Sequence, residues 1–246
     1  MDKKITSNIA LLAAAFLGGC AAVPHTTAPA ASSFAAANTQ VATPSESSAP
    51  RIVQGDLDIT NQTSLESFEN LEVVTGTLTI VGNTRLSTLD GLERLRAVKH
   101  LVVRENLSLT NLEGLSGLRH ARSVTLEKNP RLENLNGLEG VEKLDRLVVS
   151  KNGIYCTRGL SGLTEAGEVV ISSNPRLLGL QGLRNLVSAD SVTITNNPRL
   201  SAQSGLLEGL RRVTGRLEIR DNAGLHTSEV NAVRERFPRP VTVATR

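Results

Sequence analysis

Thiols, imidazoles and paired carboxylates are the groups with which this chain of 246 residues could do chemistry, and they are few and scattered. The cysteines are Cys20 and Cys156, and the histidines are His25, His100, His120 and His226. A metal site needs ligands at recognisable spacings, such as two His one helical turn apart or closely spaced Cys pairs. No such spacing occurs. A Gly-x-Ser-x-Gly elbow is also missing; Gly114-Leu115-Ser116-Gly117 and Gly159-Leu160-Ser161-Gly162 fall at repeated corners instead. Asp56 and Asp58 form a lone carboxylate pair, read here as solvated acids on the first strand. Arg104 and Glu127 fall one repeat apart with His100 nearby, which reads as a surface charge pair. The expectation is a protein that is not an enzyme, with no catalytic residues, no metal and no cofactor.

One thiol stands in a distinctive setting. Lys3 and Lys4 give a short positive segment, and Ile9 to Leu17 form an apolar run. Nine residues span only about 13 Å as a helix, against ~30 Å of membrane hydrocarbon. The run is therefore the apolar part of a signal peptide (residues 1–19) and not a membrane-spanning helix. It ends in Leu17-Gly18-Gly19-Cys20, which resembles the lipobox of bacterial lipoproteins. That resemblance implies that the Cys20 thiol takes a diacylglyceryl group and becomes the N-terminus after cleavage. Two or three acyl chains anchor stably where one binds reversibly, because each buried CH₂ contributes ~0.8 kcal/mol. Ala21 stands where an Asp would retain a Gram-negative lipoprotein in the inner membrane. The expected location is a lipid anchor in the bacterial envelope, at the outer membrane, on either its periplasmic or its surface side. Assigning Cys20 to a lipid leads to a further expectation: Cys156 takes part in no intrachain disulfide.

Residues 20–50 are a different material. Ala, Ser, Thr and Pro fill 23 of the 30 positions from 21 to 50, and Glu46 is the one charge. Such a segment buries too little apolar surface to offset its ordering entropy, so a disordered tether is expected. As a flexible coil it reaches roughly 30 Å. Residues 51–246 are long enough for one domain with a substantial core. The formal net charge is +3, with both signs scattered and 2% aromatic residues. A nucleic-acid binder would cluster basic residues and interleave aromatics, so no nucleic-acid partner is expected.

The elements that position these residues come from a repeat. A first apolar column holds Leu57, Leu78, Leu101, Val124, Leu147, Val169, Val192 and Leu217. A second holds Ile59, Ile80, Val103, Leu126, Val149, Ile171, Ile194 and Ile219. Three residues later come Gln62, then Asn83, Asn106, Asn129, Asn152, Asn174, Asn197 and Asn222. These eight copies are spaced 21, 23, 23, 23, 22, 23 and 25 residues apart. Alternation with period two predicts one short strand per copy, stacked into a parallel sheet. One copy cannot bury its own apolar side, so the copies must stack as a solenoid. The Asn column sits where the strand turns. An amide both donates and accepts, so stacked Asn side chains are expected to form a structural ladder between coils. After each Asn, further columns run through Leu65, Leu86, Leu109, Leu132 and Tyr155, and then through Leu71, Leu92, Leu115, Leu138, Leu160, Leu183 and Leu206. A Gly precedes most of the last set, predicting corners with positive φ or close approach between coils.

The Leu-x-x-Leu-x-Leu-x-x-Asn core resembles a leucine-rich repeat. Gly55-Asp56-Leu57-Asp58-Ile59, Gly76-Thr77-Leu78-Thr79-Ile80 and the thrice-repeated Asn-Pro-Arg-Leu (129–132, 174–177, 197–200) resemble the receptor L-domain family more closely. That family implies a right-handed, β-helix-like solenoid used for ligand binding, with no catalytic residues. The expected fold is mainly β: about eight leucine-rich coils of 22–23 residues over 51–246, closed by a short C-terminal capping helix. Arg51 to Gln54 start the first coil, and a helix from Thr227 with Val230, Val233 and Phe237 on one face closes the last.

Two surfaces remain for function. Between the inward positions lie Asp58, Thr79, Val102, Thr125, Val148, Val170, Thr193 and Glu218. β-Propensity alone can explain Val and Thr there. A row of clustered apolar groups also suits docking, so Val102, Thr125, Val148, Val170 and Thr193 are a candidate partner-binding face. Arg85, Arg131, Arg176 and Arg199, each two past the Asn, are a candidate anion edge for acidic glycans or lipid headgroups. The leading expectation is a membrane-tethered module that binds or scaffolds a protein partner. A glycan-binding adhesin is the alternative, although the domain holds only Phe68, Tyr155 and Phe237 as aromatic platforms. A β-solenoid enzyme or an ice-binding face would need acid clusters or regular Thr-x-Thr rows that are not present.

Overall fold

The computed structural model describes residues 49–201, 206–237 and 241–244, the last four by backbone alone. The expected signal peptide and nearly all of the expected tether, Cys20 included, fall outside the described residues. The strands are β1 (Arg51–Val53), β2 (Leu57–Thr60), β3 (Leu71–Val81), β4 (Ala97–Arg104), β5 (His120–Glu127), β6 (Lys143–Ser150), β7 (Glu165–Ser172), β8 (Ser188–Thr195), β9 (Arg212–Val213), β10 (Leu217–Arg220) and β11 (Val241–Ala244). Helix α1 spans Thr227–Arg236. The paired strands run parallel in one sheet, in the order β1-β3-β4-β5-β6-β7-β8-β10-β11, with β2 beside β3 and β9 beside β8. This is a parallel β-solenoid of about 7 turns with ~23-residue coils and one C-terminal helix. Eight ladder strands, β2 to β8 and β10, enclose those turns.

The two inward columns explain the stacking. Leu78, Leu101 and Leu147 are 0% exposed, as are Ile80, Val103, Leu126 and Val149. Each pairs in register with its homologue in the next coil. Identical apolar rows therefore bury one another along the whole solenoid.

Two kinds of corner close each coil. The first directly precedes the ladder amide. Asn61, Gly82, Glu105, Lys128, Lys151, Ser173, Asn196 and Asp221 all have φ between 56° and 68°. For an L-residue this conformation costs about 1–2 kcal/mol. It is offset by a bond to the next coil; the Lys128 N–H donates to the Ser150 carbonyl at 3.0 Å. The second corner carries the Gly column. Gly91 and Gly137 have positive φ, whereas Gly114 is required by close approach. A Cβ on Gly114 would lie 1.9 Å from the Leu89 carbonyl oxygen.

Coil length decides where the aligned columns slip. In the 22-residue coil after Asn152, Ile154 is 0% exposed and fills the Leu position, so the placement of Tyr155 there is corrected. Tyr155 turns outward, and its N–H continues a ladder from the Glu133 carbonyl at 2.9 Å. In the first coil, Phe68 donates to Leu65 as Leu92 does to Leu89, which shifts Leu65, Phe68 and Leu71 by one column. In the longest coil, Leu207 rather than Leu206 stands opposite Leu183, because Leu210 bonds back to Leu207.

Cys156 is 3% exposed and disulfide-bonded. This corrects the expectation that Cys156 stands unpaired. That expectation came by elimination, from giving the Cys20 thiol to a lipid.

The last coil is capped. His226 N–H donates to the Glu229 carboxylate at 2.7 Å and starts α1. Val230, Val233 and Phe237 face inward at 3%, 2% and 7% exposure. The Arg236 guanidinium donates to the carbonyls of Leu207 (2.9 Å) and Leu210 (2.8 Å), which the end of a solenoid leaves without a following coil. Strand β11 then pairs with β10, an addition that the sequence pattern did not show.

Candidate binding face and arginine edge

The strand alternation that buries Leu and Ile turns the intervening residues outward. Register brings Asp58, Thr79, Val102, Thr125, Val148, Val170, Thr193 and Glu218 into one row across the sheet. Val102, Thr125, Val148, Val170 and Thr193 are adjacent and each is half-buried. Glu218 departs from the expected exposed row. It is 6% exposed and lies between Arg216 (3.0 Å) and Arg220 (2.5 Å). Asp58 is exposed, while Asp56 accepts the Thr77 N–H at 2.6 Å.

Charges flank the Val/Thr row and largely neutralise one another. Arg146 pairs with Glu168 at 2.7 Å and Lys143 with Glu165 at 2.9 Å. Lys128 donates to Glu105 at 3.0 Å. That hydrogen bond, reinforced by the lysine's charge, holds the Glu105 carboxyl below its ordinary range and raises Lys128 above its own. The same cause, a hydrogen bond to Glu165, raises Lys143. Arg104 and Glu127 are register partners, but the ion pair of Glu127 is with Lys151 at 3.6 Å. His100 Nδ1 lies 2.7 Å from the Ser123 hydroxyl on the neighbouring strand. A groove of 920 Å³ runs beside this face, over Ala121, Ala166 and Gly167, walled by ion-paired side chains such as Arg122 and Asp145. Among the described residues, no group of three His, Cys, Asp or Glu is placed to hold a metal ion.

At the end of the strands stands the amide ladder. Asn83, Asn106, Asn129, Asn174 and Asn197 are 0% exposed, Asn152 1% and Asn222 7%. Each Oδ1 accepts the backbone N–H of the preceding rung; Asn129 accepts from Asn106 at 3.1 Å and Asn152 from Asn129 at 3.0 Å. Each Nδ2 donates to a strand carbonyl of the preceding coil, as Asn129 does to Val103 at 3.0 Å. Gln62 takes no part through its side chain, which bonds its own Thr60 carbonyl; only its N–H reaches Asn83.

Around that corner lies the arginine edge. In the three Asn-Pro-Arg-Leu turns, Leu N–H donates back to the Asn carbonyl: Leu132 to Asn129 at 3.1 Å, Leu177 to Asn174 at 3.2 Å and Leu200 to Asn197 at 3.1 Å. Pro presets the second turn position and Arg takes the third. Arg85, Arg131 and Arg199 are exposed and Arg176 is half-buried. The Arg176 guanidinium lies over the Tyr155 ring, 4.0 Å from its centroid. This stack depends on the short coil turning Tyr155 outward, so aligned columns could not reveal it.

The family model for the receptor L domain matches residues 51–160. Those residues are a receptor L domain. No curated protein matches the chain. The strand register and the amide ladder continue unbroken beyond residue 160, through Asn174, Asn197 and Asn222. The Val/Thr row and the arginine edge thus begin inside the receptor L domain and extend over the coils that follow it.

Proposed function

We propose that this receptor L-domain solenoid is a non-catalytic, lipid-anchored module of the bacterial envelope that docks a protein partner on its sheet face. The observation behind the reading is the unbroken half-buried row Val102, Thr125, Val148, Val170 and Thr193, bordered by ion pairs that satisfy one another. Such a surface loses little on desolvation and offers apolar contact at its centre, as interface cores do. Among the described residues no helix is long and apolar enough to cross a membrane. The proposed membrane contact is the lipid on Cys20, supported by Leu17-Gly18-Gly19-Cys20 after an apolar run.

Val148 is the test position. A photo-reactive residue there, in intact cells, is expected to crosslink to one discrete protein. Val148→Glu meets water in the free domain and should cost only ~0.5–1 kcal/mol of folding stability. In the complex the same charge is buried without a partner, which costs far more. The crosslinked species, probed from a second site at Thr125, should therefore disappear in a folded Val148→Glu protein. Its persistence at the wild-type level would exclude this face as the docking surface.

A further inference from the structure

We propose that the edge carrying Arg85, Arg131, Arg176 and Arg199 binds a linear acidic polysaccharide. This surface lies around the amide corner from the sheet face, and the inference does not depend on the protein partner proposed above. Between the ladder Asn and the next turn, residues 84–88, 107–111, 130–134, 153–157, 175–179 and 198–201 hold these four arginines and one acid, Glu133. Acids at the neighbouring corner are already engaged, Glu105 by Lys128 and Glu127 by Lys151. Among the described residues none of the four arginines is in an ion pair; Arg176 is held by stacking on Tyr155.

Spacing narrows the ligand. A backbone ladder fixes this edge coil by coil: Thr110 to Ser87, Glu133 to Thr110, Tyr155 to Glu133 and Leu178 to Tyr155, each at 2.9 Å. Successive coils are therefore one strand spacing apart, about 4.8 Å. Arg85, Arg131 and Arg176 occupy alternate coils, so their turns recur about every 10 Å along the solenoid; Arg199, one coil beyond Arg176, lies outside that period and is not needed for it. A guanidinium fork recognises a carboxylate by paired hydrogen bonds. A linear glycan with one carboxylate per disaccharide presents anions at this order of spacing, along a straight line. A lipid headgroup surface has no such repeat.

The probe is hyaluronan oligosaccharide, which carries one carboxylate per disaccharide, titrated against the purified full chain at low salt. Polygalacturonate, with a carboxylate on every sugar, and phosphatidylglycerol vesicles are the comparison arms. Hyaluronan should bind more tightly than polygalacturonate at equal carboxylate concentration, with affinity falling as salt rises. Arg131→Glu combined with Arg176→Glu should weaken it at least tenfold, while Val148→Glu leaves it unchanged. Both variants change outward side chains, and an unchanged circular dichroism spectrum with a cooperative thermal transition verifies folding. No binding of hyaluronan, equal binding by the double variant, or preference for the vesicles or for polygalacturonate would overturn the proposal.

Discussion

A ladder asparagine works because its amide faces two coils at once. Asn129 accepts from Asn106 through Oδ1 and donates through Nδ2 to the Val103 carbonyl, with no exposure to water. Asn129→Leu fits the volume but strands the Asn106 N–H and the Val103 carbonyl. At ~1–3 kcal/mol for each orphaned group, the expected loss is about 3 kcal/mol or more, read as a lower urea midpoint. Gln62→Leu is the control. Its side chain is exposed and bonds only its own backbone, so its cost should stay within ~0.5 kcal/mol. Equal midpoints for wild type and Asn129→Leu would count against the ladder as a source of stability. The Asn column was legible because one chemistry recurs at one position. The left-handed corner before it was not, since Gly fills only one of its eight positions and Lys, Glu, Ser, Asn and Asp the others. There the inter-coil hydrogen bond, invisible in sequence, overrides local preference.

At the scale of the coil, stability depends on how closely one turn can lie on the next. The short 3₁₀ turns Glu113–Leu115, Arg158–Leu160 and Gln181–Leu183 each place a Gly against the carbonyl of the coil below. Gly114→Ala would put a methyl group 1.9 Å from the Leu89 oxygen. The rigid backbone on both sides leaves no side chain to move aside, so coils must separate locally. The expected destabilisation is about 3 kcal/mol, toward the upper end for overpacking, seen as a lowered thermal midpoint. Gly82→Ala tests positive φ without crowding, since nothing lies within 4 Å of its Cβ; it should cost only ~1–2 kcal/mol. A larger loss at Gly82 than at Gly114 would show that close approach between coils is not what requires Gly114.

For the whole molecule, the proposed anchor is separate from the surfaces by which it acts, and each is tested on its own. Cys20→Ser should block lipidation and move the protein from the membrane fraction to the soluble fraction. The ~0.8 kcal/mol for each buried CH₂ has no substitute in a tether rich in Ala, Ser, Thr and Pro. Membrane retention of Cys20→Ser at the wild-type level would refute the anchor. Mass spectrometry of the wild-type protein gives a second readout, because lipidation consumes the Cys20 thiol as a thioether. Cys20 found in a disulfide would refute it too.

The sequence alone determined the periodic part of this protein: parallel strands, two inward apolar columns, the amide ladder and the closing helix. Each follows from residue type recurring at fixed spacing, and stacking identical coils needs little long-range information. Tertiary structure decided what breaks the period. It moved Ile154 into the core and Tyr155 out under Arg176, because a 22-residue coil must still keep its hydrogen bonds to 23-residue neighbours. It buried Glu218 between two arginines, engaged Cys156 in a disulfide and added β11 to the end of the sheet. It also decided which charges are neutralised across the sheet and which arginines stay without an acid, because, outside the Glu218 cluster, the ion pairs join side chains one coil apart rather than neighbours in the chain.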